Sequence, residues 1–201
     1  HVKGIAAHAG VCPERGVSSI AITSLAIADL QQNGWHGAIS KGKQAGTSNV
    51  GIVQGGDATN VVTDHVYVRA EARSHNASFR KRIVREIEKA FERAARKVKN
   101  VQGDCGSVSI EGFLDYDSFK LGVKEPCVRI AKRVIESQNQ QPVFTLANGG
   151  LDANWITKHG VPTVSMGCGQ LNAHMVTETL DLKEYLLACD IGLAIALGAE
   201  G

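Results

Sequence analysis

The 201 residues carry 22 Lys and Arg against 20 Asp and Glu, a formal net charge of +2, with 43% hydrophobic residues. That is enough apolar content for one large or two small cores, and a near-zero balance gives no reason to expect a nucleic acid or an anionic membrane as partner. No stretch approaches the roughly 18 consecutive apolar residues of a membrane span, and no charged-then-apolar leader opens the chain. Five cysteines, at 12, 105, 127, 168 and 189, lack C-x-x-C spacing. They argue against a disulfide framework or a structural zinc site and for a reducing, cytoplasmic setting.

In chain order, Val2–Ala7 is predicted as a short strand. A helix built on Ile20, Leu25, Ile27 and Leu30 follows and stops at Asn33-Gly34, a residue pair that ends helices. Two strands come next, Gly46–Gln54 and Asp64–Ser74. In the second, Val66, Val68, Ala70 and Ala72 alternate with Tyr67, Arg69, Glu71 and Arg73, so one face is buried and the other presents Arg73. Asn76 is expected to cap a long helix to about Lys99, whose apolar positions Phe79, Ile83, Ile87, Phe91, Ala94 and Val98 recur at helical spacing. Its basic residues are interspersed with Glu86, Glu88 and Glu92 and read as a solvated face. A strand over Gly106–Tyr116 completes a split βαβ sandwich, an open sheet with two helices on one face.

The texture changes near residue 121, which sets two domains, 1–120 and 121–201. The second is expected to alternate helix Pro126–Ser137, strand Pro142–Leu146, short helix Ala153–Lys158, strand Val161–Met166 and helix Leu182–Leu197. Such alternation implies parallel pairing with functional loops at the strands' carboxyl ends. Two strands are too few for an independent sheet, so this segment is expected to be the tail of a larger α/β domain.

Several loop residues are candidates for chemistry. His174 lies in Gly167-Cys-Gly-Gln-Leu-Asn-Ala-His174-Met-Val-Thr-Glu178, with Glu178 placed to orient it, and reads either as a metal ligand or as a surface residue. His8, in Gly4-Ile-Ala-Ala-His8-Ala-Gly10, is either structural or a neutral donor to a developing oxyanion. Arg73 offers a planar fork that suits a carboxylate, the alternative being a cross-strand pair with an acid; Asn60 could add an amide contact. The Gly149-Gly150-Leu-Asp152-Ala-Asn154 loop matches neither the P-loop nor the dinucleotide fingerprint, and no G-x-S-x-G occurs.

Taken together and in this order, the motifs around His8, Ala58-Thr-Asn60-Val-Val, Glu71-Ala-Arg73-Ser, the double-glycine loop with Gly160-Val-Pro162-Thr, and the His174 loop resemble those of the dinuclear zinc peptidases and aminoacylases. The resemblance is closest to peptidase T-like members, with glutamate-releasing carboxypeptidases and acetylornithine deacetylase as further relatives. It implies a lid and dimerisation domain of ferredoxin-like split βαβ form, followed by the C-terminal part of an α/β zinc-peptidase catalytic domain. It also implies roles for single residues. His174 is the late metal ligand, and His8 is the lid histidine that holds the scissile carbonyl oxygen. Asn60 and Arg73 are lid residues that bind the substrate's carboxylate or nearby polar atoms; Gly149, Gly150 and Asp152 line the substrate cleft. The implied cofactor is a pair of divalent metal ions, most readily zinc, and the implied partners are a small peptide or N-acyl amino acid and a second subunit.

The family's early His-x-Asp and Glu-Glu motifs do not occur in these 201 residues. The expectation is therefore an incomplete metal site and negligible activity for this chain alone. A metal-free dimerisation or small-molecule-binding module is the competing reading.

Overall fold

The computed structural model describes residues 1–198, so the last three residues of the expected second domain lie outside the described residues. Contacts divide the chain into one unit from His1 to Leu114 and another from Asp115 onward.

The first unit begins with β1 (Val2–Lys3) and β2 (Ala7–His8), two pieces of the strand expected over Val2–Ala7. Between them Ile5 bridges to Val17. Gly4 is required at this junction, because a Cβ there would sit 1.9 Å from the Val17 carbonyl oxygen. Helix α1 (Ser19–Gln32) starts where the Ser18 side chain accepts from the Ala21 amide, and it ends at Asn33 before Gly34 in the left-handed region, as its composition predicts. Strands β3 (Gly37–Lys41) and β4 (Gln44–Gln54) then form a hairpin turned at Gly42, whose φ is +63°. The sequence reading did not include β3. Its Gly-Ala-Ile-Ser-Lys run has one buried apolar residue, Ile39, and owes its extended form to pairing with β4 rather than to alternation.

Short β5 (Val61–Val62) pairs with β2, and β6 (His65–Arg73) pairs with β4 through an irregularity between Val50 and Ile52. The expected alternation on β6 holds for Val66, Val68 and Ala72, which pack into the core, but Ala70 is exposed. Helix α2 (Ala77–Lys97) is capped by the Asn76 side chain, which accepts from the Phe79 amide. Its charges occupy the solvent side, where Glu86 meets Lys89 and Glu92 meets Arg96. The closing strand β7 is only Ser107–Val108, much shorter than the expected Gly106–Tyr116, because Val2 and Lys3 of β1 are the partners it finds.

The sheet order is β3-β4-β6-β1-β7 with every pair antiparallel. Without the added edge strand β3, this is the strand arrangement of the predicted split βαβ fold. Helices α1 and α2 cover one face and enclose Val2, Val17, Ile22, Leu30, Ile39, Val66, Phe79 and Ile83. Phe79 is fully buried and meets Trp35 at a centroid distance of 6.2 Å. Phe79→Ala is expected to destabilise this unit by about 3–5 kcal/mol through lost burial and the cavity left behind; a urea unfolding midpoint that hardly moves would contradict this packing.

The second unit contains α3 (Pro126–Ser137), α4 (Asp152–Lys158), the hairpin β8 (Gln170–Leu171) and β9 (Thr179–Leu180), and α5 (Leu182–Ala196). The three helices match their predicted positions. The strands expected at Pro142–Leu146 and Val161–Met166 do not form, which corrects that part of the reading. A strand is held by hydrogen bonds to a neighbour, and neither segment has one among the described residues. Their apolar side chains are correspondingly open, with Val143 83% and Val161 57% exposed.

Candidate functional site

His8 is exposed at the end of β2, and the residues around it form one hydrogen-bonded turn. Its carbonyl oxygen accepts from the Val11 and Cys12 amides, at 3.2 and 3.1 Å. Its imidazole Nδ1 accepts from the Gly10 amide at 3.1 Å. The next residue ties this turn to Asn60: the Ala9 amide donates to the Asn60 carbonyl at 2.9 Å, while His8 stands opposite Val61. Two candidates more than fifty residues apart in sequence are thus brought to one end of a two-stranded ribbon.

Arg73 is not part of that cluster. The ribbon leaves the sheet at the Val66 end of β6, since Val2 faces Val66 and Lys3 faces His65, whereas Arg73 is the last residue of β6. Val66 and Arg73 are seven residues apart, roughly 23 Å of strand at about 3.3 Å per residue. The Arg73 guanidinium pairs with Glu71 two residues earlier on the same strand, through Nε to Oε1 at 3.1 Å and Nη2 to Oε2 at 2.8 Å. This acid lies along Arg73's own strand. That pairing was available to the sequence reading, because residues two apart on a strand share a face.

In the second unit, His174 sits in the loop between β8 and β9 with φ of +65°, in the left-handed region, which few non-glycine residues adopt and where Asn, Asp and His are enriched. Asn172 is left-handed as well, at +55°. Glu178 holds this loop, but not as expected: Oε2 accepts from the His174 backbone amide at 3.2 Å and Oε1 accepts from the Gln170 side chain. It fixes the backbone that carries the imidazole. Among the described residues no group of three or more His, Cys, Asp and Glu is placed to hold a metal ion, and His174 alone falls short of the roughly three protein ligands such a site takes.

The double-glycine loop has a packing reason of its own. A Cβ on Gly150 would lie 2.3 Å from the Tyr116 hydroxyl oxygen, whereas one on Gly149 would meet nothing. Asp152 is exposed in the first turn of α4. Asn154 of the same motif is buried and structural, accepting from the Leu151 amide at 3.0 Å and donating to the Asp117 carbonyl at 2.9 Å. Tyr116 and Asp117 escaped the sequence reading, since nothing local marks a residue that packs more than thirty positions away.

On the helical side of the first unit an open hollow of about 390 Å³ is lined by Asp29, Leu30, Asn33, Trp35, Glu86 and Arg93. Arg93 and Asp29 already pair there, and Lys41 and Arg82 lie over the Trp35 ring. All five cysteines are free thiols. Among the described residues no helix is long and apolar enough to cross a membrane.

Residues 1–99, which carry most of the split βαβ unit and its edge ribbon, match the peptidase dimerisation domain, and this part of the chain belongs to that family. Similarity extends beyond this domain, over nearly the whole chain. It is similar to aminopeptidase PepT from Bacillus cereus, at 34% identity and a TM-score of 0.72 over 96% of this chain and 48% of that one. It is also similar to a tripeptidase from Staphylococcus aureus, at 31% identity and a TM-score of 0.76 over 96% of this chain and 48% of that one. The uncharacterized protein YqjE of Bacillus subtilis is 33% identical over 194 residues, 96% of this chain and 49% of that protein. The chain therefore spans about half the length of the relatives it matches.

Proposed function

We propose that this chain forms the lid and the late part of the catalytic domain of a metal-dependent, peptidase T-like hydrolase, which cleaves an amide bond in small peptides or N-acyl amino acids as a cytoplasmic homodimer. The observation that carries this reading is the His8–Asn60 ribbon on a peptidase dimerisation domain, in a chain that resembles an aminopeptidase and a tripeptidase along almost all of its length. His8 donates a hydrogen bond to the oxygen of the scissile carbonyl as negative charge develops on it. Asn60, held beside it, binds a neighbouring polar atom of the substrate. Arg73 takes the substrate carboxylate with its fork, exchanging Glu71 for the ligand. Gly149, Gly150 and Asp152 line the cleft.

His174 is assigned as one ligand of a metal centre whose other ligands belong to sequence outside these 201 residues. Divalent ions held there together with residues from outside this chain would supply Lewis-acid activation of a water.

Strand length fixes which residues can act together. A tripeptide is at most about 10 Å long, so Arg73 and the His8–Asn60 pair of one protomer do not grip the same small substrate. In a homodimer each active site takes its carboxylate clamp from one subunit and its oxyanion donor from the other.

Metal analysis of the complete protein, together with hydrolysis assays on tripeptides and N-acetyl amino acids, tests this function. Turnover with bound metal is expected. A metal-free, inactive protein would leave only the dimerisation or binding module. For the 201-residue chain by itself, calorimetry is expected to show at most weak zinc binding through His174, and tight stoichiometric zinc would overturn that assignment.

A further inference from the structure

We infer that Gly10 is a positioning residue whose backbone amide fixes the His8 imidazole in a single tautomer and orientation. A backbone N–H can only donate, so its contact with Nδ1 at 3.1 Å leaves that nitrogen without a proton. In the neutral ring the one remaining proton then sits on Nε2, on the side of the imidazole away from the Gly10 amide. The packing agrees: the Nδ1–Cε1 edge of the ring faces Gly10, at 3.7 and 3.6 Å from where a Cβ on that residue would lie.

The turn that aims this amide is held at both sides. The Val11 and Cys12 amides close on the His8 carbonyl, and the Ala9 amide is anchored on the Asn60 carbonyl. The His8-Ala9-Gly10 segment thus presents Nε2–H as a preorganised donor, with a backbone amide bonded to Nδ1. In many sites a carboxylate or carbonyl accepts from Nδ1–H and leaves Nε2 as an acceptor; here the polarity is reversed, and the free nitrogen is the donor. That is the form suited to an oxygen gaining negative charge and unsuited to a general base. Steric demand does not explain the glycine. A methyl at position 10 would make ordinary van der Waals contact.

The inference rests on the assignment of His8 as an oxyanion donor only for its catalytic consequence. The hydrogen bond is testable without activity, by long-range proton–nitrogen spectra of the full-length protein labelled with [15N]histidine and [15N]glycine. A neutral His8 protonated at Nε2, with scalar coupling between its Nδ1 and the Gly10 amide nitrogen, is expected. A proton on Nδ1, or no coupling, would overturn the proposal.

Gly10→Ala, which keeps the donor, should preserve the coupling and the tautomer. Gly10→Pro, which removes the donor, should abolish the coupling and lower kcat roughly fivefold to tenfold with little change in KM, the scale of one ordinary hydrogen bond. Unchanged kcat in a folded Gly10→Pro variant would remove Gly10 from the reaction. If the coupling is present but His8→Ala turns over normally, the tautomer assignment stands and the function proposed for His8 fails.

Discussion

His8→Ala in the complete enzyme is expected to lower kcat by roughly 100-fold or more while KM changes little, the loss that follows removal of one preorganised oxyanion donor. The asymmetry is diagnostic. A donor that strengthens only as the carbonyl oxygen becomes charged contributes to the transition state and not to the bound substrate. His8 is exposed and contributes no core packing, so the variant should unfold at the same denaturant concentration as the parent protein. Steady-state kinetics on a tripeptide, alongside a urea titration, separate the two effects. Normal turnover would take His8 out of the mechanism, and a shifted unfolding midpoint would make its role structural.

The second large effect comes from mixing two impaired variants. Arg73→Ala alone should raise KM about 10- to 100-fold, from the loss of a charge-assisted contact to the substrate carboxylate, with the fold retained. Because Arg73 and the His8–Asn60 ribbon lie at opposite ends of β6, the proposed homodimer draws them from different subunits. A dimer of one Arg73→Ala subunit and one His8→Ala subunit then contains one site with both defects and one with neither. Unfolding and refolding an equal mixture should make half the dimers mixed, restoring about a quarter of the parent activity at low substrate concentration. Were both residues to serve their own subunit, every site would keep one defect and mixing would restore nothing.

The first unit was largely legible in sequence because its signals are local. Ser18 before α1, Asn33-Gly34 after it and Asn76 before α2 are capping residues that act on amides within a few positions. Alternation on β6 and helical spacing on α2 select the buried side chains directly. β3 was missed for the same reason: with one buried apolar residue it carries no local signal, and it is a strand because β4 lies beside it. The second unit shows the limit from the other side. The segments at Pro142–Leu146 and Val161–Met166 have strand composition, yet composition cannot supply the neighbouring backbone that makes a strand.

For the candidate site the division is similar. The individual residues His8, Asn60, Arg73 and His174 stood out by type and motif, but their roles depend on which of them meet. The proximity of His8 to Asn60, the pairing of Arg73 with Glu71, and the hold of Glu178 on a backbone amide rather than an imidazole were not given by the motifs. By itself the sequence determined the helices, their caps, the central strands and the chemical inventory, since these depend on residues near one another along the chain. Only the tertiary structure decided that Gly150 lies against Tyr116, that the Gly10 amide donates to the His8 imidazole, and that Arg73 and the His8–Asn60 ribbon lie at opposite ends of β6. Distances of that kind are set by strand pairing and register, which act across many positions of the sequence and leave no mark on any short stretch of it.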